Sequence, residues 1–313
     1  MSESEVQPTN LSEGIVTPFF EIPVSGHFSR EEVEITDSKL DFEFDNKFQK
    51  RINEIWQKKK KQIEEKGGHL EDRPKLVVLD NSIKSGKLCL TLGHSSYKDY
   101  VGSTDPKLRY LIGAERLPKF LGAAALLETS DNFLVLNERS QSVFQYNGWL
   151  SVFAGSTELE DLNVNGVIDP FTTAIRETKE ETEVENMEIA DIKCLGYMVD
   201  SFTDAEAMLF HVKTTLTKVE LESLQRNKNL DEGKSVFIPI DAGEVRKKIL
   251  EFSKVFVSDG ASVLTLFGRD KFGQEWFNNV VERLNRRGKV YNSLTDKQRQ
   301  ILEDKLILRL ARN

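Results

Sequence analysis

At 313 residues, with 39% apolar and 30% charged side chains, the chain exceeds a minimal domain and is able to bury a core of ordinary size. A formal net charge of −8 excludes a protein that grips nucleic acid through its whole surface, and an anionic substrate would need a bound cation or local basic side chains. Two cysteines, Cys89 and Cys194, read as free thiols of a reducing compartment, and four scattered histidines make no zinc spacing.

The chain opens on an acidic, polar stretch, unlike a signal or transit peptide. Residues 1–14 read as disordered, and 1–44 as a disordered or loosely packed lead. The cytosol is the expected location, with a nuclear share left open, and no apolar run reaches the roughly 18 residues that span a bilayer. From Asp45 to Lys66, the residues Phe48, Ile52, Ile55, Trp56 and Ile63 recur at helical spacing, and Gly67-Gly68 stop that helix. The lysine run at 58–61 reads as its solvated face rather than a nuclear signal or RNA arm.

Lys75–Asp80 and Lys87–Leu92 flank a turn and predict a β-hairpin, and a short helix follows Asp105-Pro106. The character changes near Pro118. A second hairpin joins Gly122–Glu128 to Phe133–Asn137 around Ser130-Asp131-Asn132, and Trp149–Ala154 reads as a strand. A helix over 169–182, strands at Ile189–Val199 and Ala207–Thr215, a helix from Lys218 and a strand at Ser235–Ile240 come next. Further helices follow, the last over 295–312. The expected organisation is the lead, a smaller α/β module over 45–117, a larger domain over 118–270 and a helical extension over 271–313, α+β in class with a mixed sheet.

The segment Asp169-Pro170-Phe-Thr-Thr-Ala-Ile-Arg176-Glu177-Thr-Lys-Glu180-Glu181-Thr-Glu-Val184 carries the chemistry. Asp169 followed by Pro170 is a strong helix start. At 100° per residue, Phe171, Ile175, Thr178 and Thr182 share a core-facing stripe, while Glu177, Glu180 and Glu181 share another. Like charges three and four residues apart repel by a few tenths of a kcal/mol per pair. A hard divalent cation turns that repulsion into a binding site and can bridge to a diphosphate. By composition alone, a solvated acidic face is the plainer reading.

Arg176-Glu177-x-x-Glu180-Glu181 resembles the core of the Nudix box, G-x5-E-x7-R-E-U-x-E-E-x-G-U, with Val184 in the last apolar slot. The resemblance implies a Nudix αβα sandwich with a mixed sheet. It also implies Mg2+ (or Mn2+) held by Glu177, Glu180 and Glu181, with Arg176 orienting one of them. Thr178 takes an apolar slot, Glu183 replaces the glycine, and Leu162 and Ile168 stand where the box glycine and first glutamate would fall. Upstream, Ala154-Gly155-Ser156-Thr157-Glu158 resembles the usual glycine turn, and Glu158 is placed to stand in for a box acid.

Leu90–Tyr100, Leu121–Ala125, Ser130–Leu136 and Leu195-Gly196 are similar to segments of a UDP-sugar-cleaving branch of animal Nudix enzymes, whose box departs in the same places. That resemblance covers roughly residues 45–270. It implies hydrolysis of UDP-glucose or UDP-galactose to UMP and hexose 1-phosphate, a small-molecule partner with no nucleic acid or membrane involved. The sequence is silent on oligomeric state. Arg139 sits where Nudix proteins often place a phosphate-contacting arginine; a surface arginine is an equal reading. Tyr97 and Tyr100 could stack on uracil, or simply pack a module edge. Asp204 and Glu206 could supply a general base, though a solvated loop is the favoured reading. A Nudix hydrolase of ADP-ribose or a similar compound, and a non-catalytic nucleotide-sugar or protein-binding Nudix module, remain as alternatives.

Overall fold

The structure is a computed structural model that describes residues 14–65, 69–113, 116–140, 149–201, 203–225, 233–252 and 257–292. The expected helix stop at 67–68, the helix over 295–312 and residues 1–13 of the lead lie outside the described residues.

Strands β1 (Ile15–Val16), β2 (Phe20–Phe28) and β3 (Val33–Asp41) precede helix α1 (Asn46–Glu64), whose first N–H groups are capped by the Asp45 side chain. Strands β4 (Pro74–Lys84) and β5 (Lys87–Ser96) form the expected antiparallel hairpin. Ser85 and Gly86 close it with φ of 50° and 79°, the two-residue positive-φ loop that matches strand twist. Helices α2 (Tyr97–Ser103) and α3 (Pro106–Ile112) follow, then β6 (Leu121–Glu128), β7 (Phe133–Arg139), β8 (Leu150–Ser151), β9 (Phe153–Ser156) and α4 (Pro170–Thr182). The chain continues through β10 (Ile189–Asp200), β11 (Glu206–Thr214), α5 (Lys218–Gln225), β12 (Gly233–Pro239), α6 (Ala242–Phe252), α7 (Ser258–Phe272) and α8 (Gln274–Asn292).

The larger sheet runs β1-β2-β10-β11-β6-β7-β12, with β9 paired to β6 and β8 to β7. It is mixed, because β11 and β6 are parallel while β10 and β11 form an antiparallel pair. Alternation along β6 shows how it is covered. Leu121, Ala123 and Ala125 pack with Phe171 and Ala174 of α4, whereas Ala124 and Leu126 pack with Val263 and Leu264 of α7. The architecture is therefore α+β, a mixed sheet between helices. The smaller sheet runs β3-β5-β4, and its Leu76, Val78, Leu88, Leu90 and Leu92 enter the core on the α4 side.

Two expectations need correction. Residues 15–41 are not a loose lead. Phe20, Ile22 and Phe28 on β2 are fully buried, and β2 pairs with β10 inside the larger sheet, while β3 pairs with β5 in the smaller one. The segment from Phe20 to Phe28 is short, interrupted by Pro23 and Gly26, and its strand character depends on a partner about 170 residues away. The region after 270 is also more than an appended extension. Trp276, Phe277, Val280 and Leu284 of α8 share one core with α7 and the sheet. Across the expected boundary near 118, Val78 N–H donates to Lys119 O at 2.8 Å and Val77 bridges to Phe120, so the two sheets are hydrogen-bonded together.

If β2 is a core strand, Ile22→Ala should cost about 2–5 kcal/mol in denaturant unfolding. A change below about 0.5 kcal/mol, the usual range for a surface substitution, would count against it.

Candidate active site

Helix α4 starts where expected. Asp169 accepts from Phe171 N–H at 3.1 Å, and Pro170 opens the first turn. The Asp169 carboxylate also receives Arg30 Nη1 at 2.5 Å, so the segment between β2 and β3 pins the helix start. The helix ends at Glu183, whose φ of 69° is the left-handed conformation that terminates helices.

The three glutamates do not form one solvent-facing patch. Glu177 and Glu181 are buried, at 8% and 7% exposure, whereas the Glu180 side chain is 59% exposed. Phe171, Ala174 and Thr178 fill the inward stripe, and Ile175 lies only half-buried. Two carboxylates can sit on the inner side because β9 is shaped to receive them. Any Cβ at Gly155 would collide with the Glu177 carboxyl, so only glycine leaves that cradle open. Glu181 accepts from Asn137 Nδ2 and from Ala154 N–H, the latter at 3.2 Å.

Arg176 holds the arrangement together. Its Nε and Nη2 donate to the two oxygens of Asp161 at 2.8 and 2.9 Å, a bidentate pair. Nη1 reaches Glu177 at 2.6 Å and Glu180 at 3.3 Å, and Nη2 also donates to Ser156 O at 3.1 Å. The Asp161 carboxylate raises the Arg176 pKa furthest, against burial, so the guanidinium stays charged. At Asp161 burial pushes the other way, yet Arg176, the Glu158 N–H and the Thr173 hydroxyl hold the carboxyl below its ordinary range. Nothing in the local pattern separates Asp161 from its neighbour Glu160, so sequence reasoning missed it.

Lys75 was missed as well. It lies on β4 with its side chain 13% exposed, and Nζ stands 3.9 Å from Glu158 and 5.7 Å from the Tyr97 ring centroid. Burial lowers its pKa, while the Glu158 and Glu177 charges oppose that shift. Tyr97, Glu158 and the α4 acids are thus linked through a lysine of the smaller sheet. Tyr97 itself stacks on Tyr100 at 5.8 Å, and Tyr100 meets Phe120 edge-on at 5.0 Å.

A cavity of about 280 Å³ opens at this end of the larger sheet. Ala154, Gly155 and Ser156, the β9 residues that hold the α4 charges, line it. So do Tyr100 and Phe120, together with Arg139, Asp200, Glu206 and Asp259. Arg139 therefore reaches the cavity, while Tyr97 stands behind Tyr100. Of the two loop acids, Asp204 pairs with Arg109. Glu206, expected in a solvated loop, is 1% exposed at the start of β11. It stands in phase with Met208, Phe210 and Val212, a charge in the buried phase of a strand, and that was the legible signal. Burial pushes the Glu206 carboxyl up to about 7, with Lys119 opposing. Asp259 is likewise pushed up to about 6 by burial.

Among the described residues no three acidic, histidine or cysteine side chains converge on a single metal-sized point. The donor chemistry nevertheless fits a hard divalent cation, with carboxylate oxygens on consecutive turns above a glycine cradle. No helix among the described residues is long and apolar enough to cross a membrane.

No family model and no curated protein matches the chain. Solved structures overlap it in part. A bifunctional NMN adenylyltransferase/ADP ribose pyrophosphatase from Francisella tularensis, complexed with AMP and a Mn ion, shares 12% identity over 49% of this chain and 42% of its own, with a TM-score of 0.34. A MutT protein from Methanosarcina mazei Go1 shares 15% identity over 54% of this chain and 94% of its own, with a TM-score of 0.27. An Ap4A hydrolase binary complex from C. elegans shares 14% identity over 49% and 99%, with a TM-score of 0.28. Overlaps this partial fix neither activity nor substrate for this chain.

The buried Glu206 has a thermodynamic signature. Between pH 4.5 and about 7 the folded protein holds a proton that the unfolded chain releases, so stability falls as pH rises through that window. Glu206→Gln lacks the group and should be more stable than wild type at pH 8, by at most about 3 kcal/mol. Denaturant unfolding should show that advantage shrinking towards pH 4.5. An advantage that does not change with pH would refute the assignment.

Proposed function

We propose that this chain is a Nudix-type pyrophosphohydrolase acting on a nucleoside diphosphate sugar, with UDP-glucose and UDP-galactose as the leading substrates. The observation that carries the reading is α4 on its β9 cradle, where Glu177 and Glu181 are buried beside an arginine locked by Asp161, and the β9 residues that hold these charges also line a cavity. Glu177, Glu180 and Glu181 would hold Mg2+ or Mn2+. Bound there, the cation supplies charge that offsets the diphosphate and makes its phosphorus a better electrophile.

The chain's own residues do the rest. Arg176 is saturated by Asp161, Ser156 O and two glutamates, so it orients acids rather than binding substrate. Lys75, beside Glu158, and Arg139, which lines the cavity, suit the phosphates of a substrate otherwise repelled by a protein of net charge −8. Tyr100 and Phe120 offer an aromatic wall to a nucleobase. The preference for a UDP-sugar is supported by the resemblance of the segments around Gly93–Tyr100 and Leu121–Ala125, not by any contact in the cavity.

Purified protein with Mg2+ should convert UDP-glucose or UDP-galactose to UMP and hexose 1-phosphate, and EDTA should abolish the reaction. Glu181→Gln should lower kcat on the order of a hundredfold, since several kcal/mol of charge stabilisation is withdrawn. Turnover of ADP-ribose with none of UDP-hexoses would replace the substrate but keep the reaction class. Wild type as inert as Glu181→Gln, with every nucleoside diphosphate compound and metal tried, would refute the enzyme reading.

A further inference from the structure

The helix pair α2–α3 of the smaller module touches the cavity region twice. Asp105 joins the two helices and caps α3 by accepting from Lys107 and Leu108 N–H. Val101 of α2 packs with Trp56, and Leu108 and Ile112 of α3 pack with Ile52, so α1 holds both helices in place. From α2, Tyr100 lines the cavity and meets Phe120 edge-on. From α3, Arg109 reaches the loop between β10 and β11.

That loop lines the cavity as well, through Asp200, Thr203 and Ala205. Within it, Thr203 donates to the Asp200 carboxylate from its N–H at 2.7 Å and its hydroxyl at 3.0 Å, and Asp204 N–H donates to Asp200 O at 3.0 Å. Asp200 also accepts from the Ser258 hydroxyl, which ties one side of the loop to α7. Arg109 ties the other side. Its Nη1 donates to Thr203 O at 2.8 Å, and its Nη2 donates to the Asp204 carboxylate. One planar guanidinium thus fixes a backbone carbonyl and the next residue's side chain together. The two side chains are only 18% and 22% exposed, so water screens the pair less than it would an open surface pair. Asp204 is held at φ 54°, a left-handed conformation that persists in a non-glycine residue where its surroundings fix it.

We infer that Arg109 is a positioning residue for nucleotide binding, which rests on the pyrophosphohydrolase reading above. It latches the β10–β11 loop to the α2–α3 pair, and so fixes the Thr203 and Ala205 side of the cavity relative to the Tyr100 and Phe120 wall. Arg109 is not among the residues lining the cavity, so it acts on a ligand through the loop. A cavity wall already fixed in place spares the ligand the cost of ordering it, whereas a released loop must be ordered at the moment of binding. The α4 acids are held separately, by Arg176, Asn137 and Ala154. Loss of the latch therefore weakens binding of the nucleotide while the machinery for the chemical step stays assembled.

The test measures KM and kcat for UDP-glucose with Mg2+, and the Kd of UMP by calorimetry. The proteins are wild type, Arg109→Ala, Arg109→Lys, Asp204→Asn, the double variant Arg109→Ala/Asp204→Asn, and Glu181→Gln. Arg109→Ala should raise KM and the UMP Kd about tenfold, the scale of one charge-assisted hydrogen bond, with kcat within about threefold of wild type. Arg109→Lys keeps the charge but loses the fork, so it should recover part of the loss, to about threefold above wild type. Asparagine tolerates the left-handed backbone, so Asp204→Asn should fold and raise both constants by about threefold. The double variant should match Arg109→Ala within about twofold, because both changes break one contact. An arginine that only supports folding would lower the unfolding midpoint and the active fraction, leaving KM and Kd unchanged, and that result overturns the inference. Single effects that multiply in the double variant overturn it too. If Arg109→Ala fails to fold, Asp204→Asn and Arg109→Lys decide. An unchanged KM and Kd in Arg109→Ala beside a dead Glu181→Gln sinks this inference alone; a wild type inert on every compound removes the underlying reading with it.

Discussion

The contact on which the site depends is the bidentate pair between Arg176 and Asp161. An arginine with its side chain only 27% exposed and an aspartate almost fully buried must satisfy each other, or each would carry an unmet desolvation cost. The pair ties the middle of α4 to the loop that follows β9, fifteen residues upstream. Once it is made, the remaining guanidinium donors fall on Glu177, Glu180 and Ser156 O, and the helix can turn neither way. Arg30 at Asp169 and Asn137 at Glu181 fix the two ends of the same helix. Three separate stretches of chain thus converge on α4 and its cap.

Such an arrangement explains how two carboxylates come to lie beneath a helix instead of in water. Each has a donor, Arg176 of the same helix for Glu177 and Asn137 and Ala154 of the sheet region for Glu181, and Gly155 supplies the space. A cation-binding helix with flexible, solvated acids would have to order them on binding, whereas buried acids have already lost that freedom. The smaller sheet adds what the larger one lacks. It delivers Lys75 beside Glu158 and, through α2, a ladder of rings from Trp56 through Tyr97 and Tyr100 to Phe120 at the cavity wall.

Local signals were the legible ones. The hairpin of Lys75–Asp80 with Lys87–Leu92 and the Asp169-Pro170 helix start are written in a few adjacent residues, because turn geometry and orphan N–H groups are satisfied within one or two turns of chain. Strand β2 was not legible. Its nine residues include a proline and a glycine, and its strand state is stabilised by pairing with β10. Helix α8 illustrates the same limit. Its period marks an amphipathic helix, but only the fold shows that its apolar face joins the main core.

The sequence by itself determined that α4 exists, where it begins, and that Arg176, Glu177, Glu180 and Glu181 stand within about one and a half turns of each other, since helical geometry depends on spacing alone. Tertiary structure decided which of those acids face inward, because that depends on what lies opposite. Gly155 and Ala154 on β9 and Asn137 on β7 are brought there by sheet pairing across tens of residues. It also turned Glu206 from a loop acid into a buried carboxyl at a cavity wall. Spacing places a side chain on its own element, but the environment that sets its charge state comes from the elements packed against it.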